Sequence, residues 1–88
     1  DAVLEAGAED LEAVLWLLVA LRDRRSKEGW EVADLLERLT TQREVAEELG
    51  ISASAVSARA IAAGIRIESA GVATVEGMLV RLVGGADA

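Results

Sequence analysis

The stretch QREVAEELGISASAVSARAI, residues 42–61, decides the fold of this chain, because its spacing suits two short helices that cross at a tight turn. Ala46 is small enough to let a second helix approach the first closely. Gly50 can take the left-handed conformation that costs other residues energy, and Val56 can anchor the second helix from beneath. The pattern therefore predicts a helix-turn-helix.

Capping signals set the first helix of this motif. Thr41 and Glu44, three positions apart, form a capping-box pattern that starts a helix at Gln42. Gly50 ends that helix after Leu49. The residues predicted to face the core are Val45, Ala46, Leu49 and, after the turn, Ile51.

The second helix of the motif begins after Ser52, whose hydroxyl can cap it, and is predicted to run from Ala53 to about Ala63. Val56 and Ala60 fall on its inner face. Its outer face carries small side chains, which can approach base edges and thymine methyl groups closely. The predicted outward residues are Ala53, Ser54, Ser57, Ala58 and Ile61, with Arg59 to one side. The alternative is that this smooth face packs against protein.

Composition sets the fold class. The 88 residues contain no proline and two aromatic side chains, both Trp, and they are rich in Ala, Leu, Val and Glu. Such a chain favours helices throughout, so we expect one small all-α domain of four to five helices that contains the helix-turn-helix. Part of the stability of so small a domain can come from a partner chain.

The absence of two residue types limits the chemistry. The chain has no cysteine and no histidine, so thiolate nucleophiles, imidazole bases and the usual zinc ligands are missing. Ser52, Ser54 and Ser57 have no histidine to activate them. We therefore expect no metal, no cofactor and no enzymatic activity, and a cytoplasmic location as the default.

The net charge of −7 opposes binding to nucleic acid, but its distribution is uneven. Residues 1–12 hold five acidic and no basic side chains, whereas residues 41–67 hold three arginines and three glutamates. The helix-turn-helix region is therefore neutral rather than repulsive.

An apolar helix is predicted from about Ala8 to Lys27. Its centre, Ala13–Leu21, is apolar on all sides, which predicts that it is covered on two sides. It is either a central core helix or a dimerisation helix, with the homodimer contact around Leu11–Leu21. Nine apolar residues are too few to cross a bilayer, which needs about 20.

The remaining segments are less sharply patterned. A helix from Lys27 or Glu28 to about Leu39 is predicted to bury Trp30 as core filler. Residues 65–68 alternate like a strand, and residues 69–71 suggest a turn. Residues 72–83 then fit either a final helix, which we favour, or a β-hairpin that would form a wing.

These segments divide into an acidic stretch with the apolar helix (1–27), a helix-turn-helix domain (28–83) and a frayed tail (84–88). The chain begins at Asp1 rather than Met. We therefore expect it to be a piece of a longer protein, or a processed chain, with a preceding N-terminal portion.

Residues 41–66 resemble the helix-turn-helix of bacterial transcription regulators, of the MarR type and the SatD-like group. The likeness rests on Gln42, Val45-Ala46, Leu49-Gly50-Ile51-Ser52, Ala55-Val56-Ser57 and Arg59. It implies that Ser52, Ala53, Ser54, Ser57, Ala58 and Ile61 face DNA. It also implies phosphate contacts from Arg59 and from Arg43.

The expected function is therefore sequence-specific binding of double-stranded DNA in transcriptional regulation. A homodimer would place two recognition helices about 34 Å apart, one turn of duplex. The alternative is a protein-interaction or oligomerisation module that keeps the helix-turn-helix scaffold without binding DNA.

Overall fold

The computed structural model describes residues 1–87, which form five α-helices. Their bounds are α1 Ala2–Asp23, α2 Lys27–Arg38, α3 Gln42–Leu49, α4 Ala53–Ala62 and α5 Ile65–Asp87. No strand occurs within residues 1–87. The all-α expectation is confirmed, and so is the final helix.

The strand and turn expected over residues 65–71 are wrong, and residues 72–83 form the favoured helix rather than the alternative wing. Gly64 has φ 67° and ends the preceding helix, and α5 starts at the next residue. Ile65 and Glu68 are both half-buried, one packed against the core and the other facing α1. Two inward-facing residues three positions apart suit a helix, whereas strand alternation would point them to opposite faces.

Helices α2, α3 and α4 form a compact unit, hereafter the head. Its centre holds three fully buried valines, one from each helix: Val32, Val45 and Val56. Ala46 and Ala60 complete the predicted inward set and are buried, and Leu49 and Ile51 pack against the cluster as half-buried residues.

The buried stripe of α2 differs from the expected one. Gly29, Val32 and Leu35 are buried, whereas Trp30 is half-buried at the edge of the head. Gly29 lies inside α2, and a Cβ there would lie 3.0 Å from the Ala63 Cβ. The missing side chain lets α2 pass close to the end of α4.

The turn between α3 and α4 has the predicted chemistry. Gly50 has φ 68° and ψ 32°, a left-handed conformation, and the Ile51 N–H donates to the Ala46 carbonyl at 3.1 Å. Thr41 caps α3 by accepting a hydrogen bond from the Glu44 N–H at 3.2 Å. The geometry is that of a helix-turn-helix.

Helices α1 and α5 run antiparallel and form a second unit, hereafter the arm, which makes the molecule 54 Å long. The half-buried seam of α1 repeats at three- and four-residue steps, as in a coiled coil, at Leu4, Gly7, Leu11, Val14, Leu18 and Leu21. Two glycines in this contact each face a leucine of the other helix. A Cβ on Gly71 would lie 2.6 Å from Leu18 Cδ2, and a Cβ on Gly7 would lie 2.7 Å from Leu82 Cδ2. The two backbones therefore approach closely.

Helix α1 is longer at its start than predicted, because Asp1 caps it by accepting a hydrogen bond from the Leu4 N–H at 3.0 Å. It ends at Asp23 rather than at Lys27, because Ser26 caps the next helix and Lys27 is already the first residue of α2. No residue of α1 is buried. Within one chain α1 is therefore not a central core helix, and α5 covers one side of it instead of the two sides that we expected.

One arginine joins the arm to the head. Arg25 lies just beyond α1, and its side chain is 1% exposed. It donates to the Ala63 carbonyl at 3.0 Å and to Glu68 at 3.1 Å, and its guanidinium stacks 4.6 Å from the centre of the Trp30 ring. Arg25 is therefore a buried basic residue within an otherwise exposed basic cluster.

Two further findings complete the fold. Among residues 1–87, none of the helices combines the length and the apolarity required to cross a bilayer. The backbone of residues 84–87 continues α5, and Ala88, the last residue of the predicted tail, lies outside the described residues.

Candidate nucleic-acid interface

The orientation of α4 is fixed from both ends and from beneath. Ser52 caps its start, with the Ala55 N–H donating to the Ser52 hydroxyl at 3.0 Å. Val56 and Ala60 hold its inner face in the head core. At its end, the Ala63 carbonyl accepts the hydrogen bond from buried Arg25. The opposite side of α4 is consequently held toward solvent.

Most of the predicted site residues on α4 are exposed. Ser52, Ala53, Ser54 and Ala58 face solvent, and Ile61 is 77% exposed. The Ser52 and Ser54 hydroxyls lie 3.1 Å apart, so they form a pair at the start of the helix. This exposed face has no side chain longer than isoleucine.

The other two predicted residues on α4 are less open. Ser57 and Arg59 are both half-buried. Ser57 lines a hollow between α4 and the start of α5. Arg59, in the last turn of α4, keeps part of its side chain in solvent.

Arg43 lies on α3, in the first turn of the helix that supports α4. Its side chain is 88% exposed, and Nε is 3.9 Å from Glu47 Oε1, one turn further on. A pair this long and this exposed holds the guanidinium only weakly, so Arg43 is free to reach a phosphate.

The hollow beside α4 adds three polar residues that were not predicted as site residues. Its polar lining consists of Gln42, Ser57, Arg66 and Ser69. Arg66 is exposed in the first turn of α5, and Gln42 opens α3. The signal that could have pointed to Arg66 is its position near the end of the longest stretch of the sequence without an acidic residue.

That stretch gives the interface its charge. None of the 16 acidic residues falls between Glu48 and Glu68, and Arg59 and Arg66 lie within this interval. The acidic side chains of the head are instead on α2 and α3. The surface that α4 presents is therefore neutral to basic in a chain whose net charge is −7.

The site holds no arrangement typical of catalysis or metal binding. Within residues 1–87, no three Asp or Glu side chains come together in a group that could hold a metal ion. The Ser52 hydroxyl lies 3.1 Å from the Ser54 hydroxyl and accepts a hydrogen bond from the Ala55 N–H, so it serves as a helix cap. What α4 offers chemically is a set of short hydrogen-bonding and apolar contacts, flanked by guanidinium groups.

Comparison of the chain with models of protein families, with curated proteins and with solved structures found no match. The likeness to bacterial regulators therefore rests on the motif of residues 41–66 alone.

Proposed function

We propose that this chain binds double-stranded DNA through α4, as a homodimeric regulator of transcription in the bacterial cytoplasm. The observation that carries the proposal is the outer side of α4, which is exposed, short in its side chains and free of acids. A helix of this kind fits the major groove, which is about 12 Å wide, with its backbone close to the base edges.

Three arginines surround that face and are suited to phosphate contacts. Arg59 lies in the last turn of α4, Arg66 follows in α5, and Arg43 is exposed on α3. Two heads would bring six guanidinium groups to the duplex. Because each neutralised phosphate contributes about −0.9 to the slope of log K against log salt, the expected slope is about −5.

Fluorescence anisotropy with a labelled duplex of mixed sequence tests the proposal. At low salt we expect binding at micromolar protein, since nonspecific complexes dissociate at about 10⁻⁶ to 10⁻⁴ M. Arg59→Ala and Arg66→Ala should each weaken binding to every sequence. Each change removes one phosphate contact per head, so the slope of log K against log salt should become less steep by about 1 per head. Ser54→Ala should instead change the preference among sequences.

Arg38→Ala is the matched control. Arg38 is an exposed arginine in the last turn of α2, beside Glu31 and Glu48 and away from α4. Its removal changes the net charge by the same amount as Arg59→Ala, so it should leave affinity nearly unchanged. No binding at tens of micromolar protein would refute the proposal, and equal losses for Arg38→Ala and Arg59→Ala would remove α4 from the interface.

A second candidate function is favoured by the arm. Ten of the eleven exposed large hydrophobic side chains in the described residues lie on α1 and α5. Together with the net charge of −7, they suit a protein-interaction module that keeps the scaffold without binding DNA. The anisotropy experiment separates the two functions, because this module would give no signal at low salt.

A further inference from the structure

The arm carries an apolar face that no other described residue covers. Leu15 and Val19 on α1 each come one position after a half-buried seam residue. On α5, Val72, Leu79 and Val83 likewise come one position after the half-buried residues Gly71, Met78 and Leu82. In an antiparallel helix pair, positions that follow the seam by one on both helices lie on the same side. Trp16 borders Leu15 and Val19 and is 66% exposed. These six residues are called the apolar face.

The apolar face is as large as the largest apolar patches that monomers expose. Its members are between 42% and 66% exposed, which leaves on the order of 600 Å² of apolar surface in water. Monomers seldom expose patches larger than this, and a stable partner typically covers about 800 Å² on each side. A flat helical face of this size suits another helix pair.

We infer that a second copy of this chain docks on the apolar face and that the two arms pack antiparallel as a four-helix bundle. The free end of each arm then lies beside the end of the other arm that adjoins the head. The inference deepens the homodimer of the proposed function and rests on it. It moves the contact from α1 alone to both helices of the arm, since Leu11, Val14, Leu18 and Leu21 already form the seam with α5.

Charge around the apolar face decides the orientation of the two arms. Glu5 borders the face near the tip of the arm, which is the end away from the head, whereas Glu12 and Glu76 border it at the middle of the arm. Arg22, 56% exposed, borders it at the base. Parallel arms would place the two copies of Glu5 side by side and the two copies of Arg22 side by side, whereas antiparallel arms place the Glu5 of each copy near the Arg22 of the other. A two-fold axis across the arms satisfies both copies equally.

Sedimentation equilibrium tests the docking surface. The wild-type chain should sediment at twice its 9.2 kDa at micromolar concentration. Leu15→Glu and, independently on the other helix, Leu79→Glu should weaken dimerisation by about 100-fold or more, because each places a carboxylate in an apolar contact. Circular dichroism at 222 nm identifies any variant that has lost its helices.

Leu17→Glu is the matched control on the same helix. Leu17 is 70% exposed but lies on the opposite flank of the seam, so this variant should remain a dimer. A wild-type monomer at 100 µM would overturn the inference. Dimers that persist in both folded test variants, or a loss of the dimer in Leu17→Glu, would do the same.

Spin labels test the orientation, and the absence of cysteine in the chain makes single labels unambiguous. Glu5→Cys labels the tip and Asp23→Cys the base of α1, about 27 Å apart along the helix. Antiparallel arms should give a distance shorter than about 25 Å in an equal mixture of the two labelled variants, and longer distances in each variant alone. The reverse pattern would overturn the antiparallel arrangement. These assays contain no DNA, so failure of the DNA-binding proposal would leave their results unaffected.

Discussion

Replacing Arg25 by methionine tests whether the junction between arm and head is held by this guanidinium. Methionine keeps an unbranched aliphatic stem but removes the hydrogen bond to Ala63, the pair with Glu68 and the stacking on Trp30. We expect the free energy of unfolding to fall by about 3 to 4 kcal/mol.

The magnitude follows from the three contacts. A buried carbonyl left without its donor costs about 1 to 3 kcal/mol, which applies to Ala63. A stacked guanidinium contributes about 0.5 to 1 kcal/mol or more. Glu68 keeps a second partner, Arg22, whose Nε lies 3.3 Å from it, so the loss of its pair with Arg25 adds only about 1 kcal/mol. A chain of this size has a total stability of roughly 4 to 13 kcal/mol, so the loss would be a large fraction of it.

Urea unfolding followed by circular dichroism at a fixed protein concentration measures the change. Arg22→Met is the control, because Arg22 pairs with the same glutamate but is 56% exposed, and its removal should cost less than about 1 kcal/mol. If Arg25→Met lay within about 0.5 kcal/mol of wild type, or if the two variants were equally destabilised, burial of Arg25 would not be what holds the junction.

Three smaller changes test the head by the same unfolding measurement. Gly50→Ala should cost about 1 to 2 kcal/mol through backbone strain alone, since no atom lies within 4 Å of the added Cβ; an unchanged stability would contradict the left-handed turn. Ser52→Ala should cost about 1 kcal/mol as a lost cap, with Ser54→Ala as a nearly silent control, and equal effects would argue against that cap. Val45→Ala should cost about 2 kcal/mol, whereas Val80→Ala, 72% exposed in the wild type, should cost under 0.5, and similar values would speak against the head core.

The head was predictable because its signals are local. Thr41, Gly50 and Ser52 act on backbone groups within a few residues of themselves, and the structure places each in its predicted role. The inward positions Val45 and Val56 follow from helical spacing once those ends are set. Which α4 residues face solvent could also be predicted from that spacing, except that Ser57 is half-buried by the start of α5.

The arm was harder to predict because its contacts join the two ends of the chain. Residues 69–71 suggest a turn and residues 72–83 are compatible with a hairpin, and the glycine at position 71 weakens an isolated helix by about 1 kcal/mol. In the structure Gly71 lies within α5, where it makes room for Leu18 of α1. No local pattern contains this contact, because the benefit of the missing side chain depends on a leucine far away in sequence.

The burial of Arg25 has the same origin and links the arm to the proposed interface. A cluster of bases after an apolar helix suggests a solvent-exposed helix end, and only the arrival of Ala63 and Glu68 encloses one of them. Because Ala63 ends α4, the guanidinium that joins the arm to the head also holds the carboxyl end of that helix. Only Ala63 and Gly64 separate α4 from α5, so no longer linker lies between these two helices. A dimer built through the arms would therefore set the separation of its two α4 helices through Arg25 in each copy.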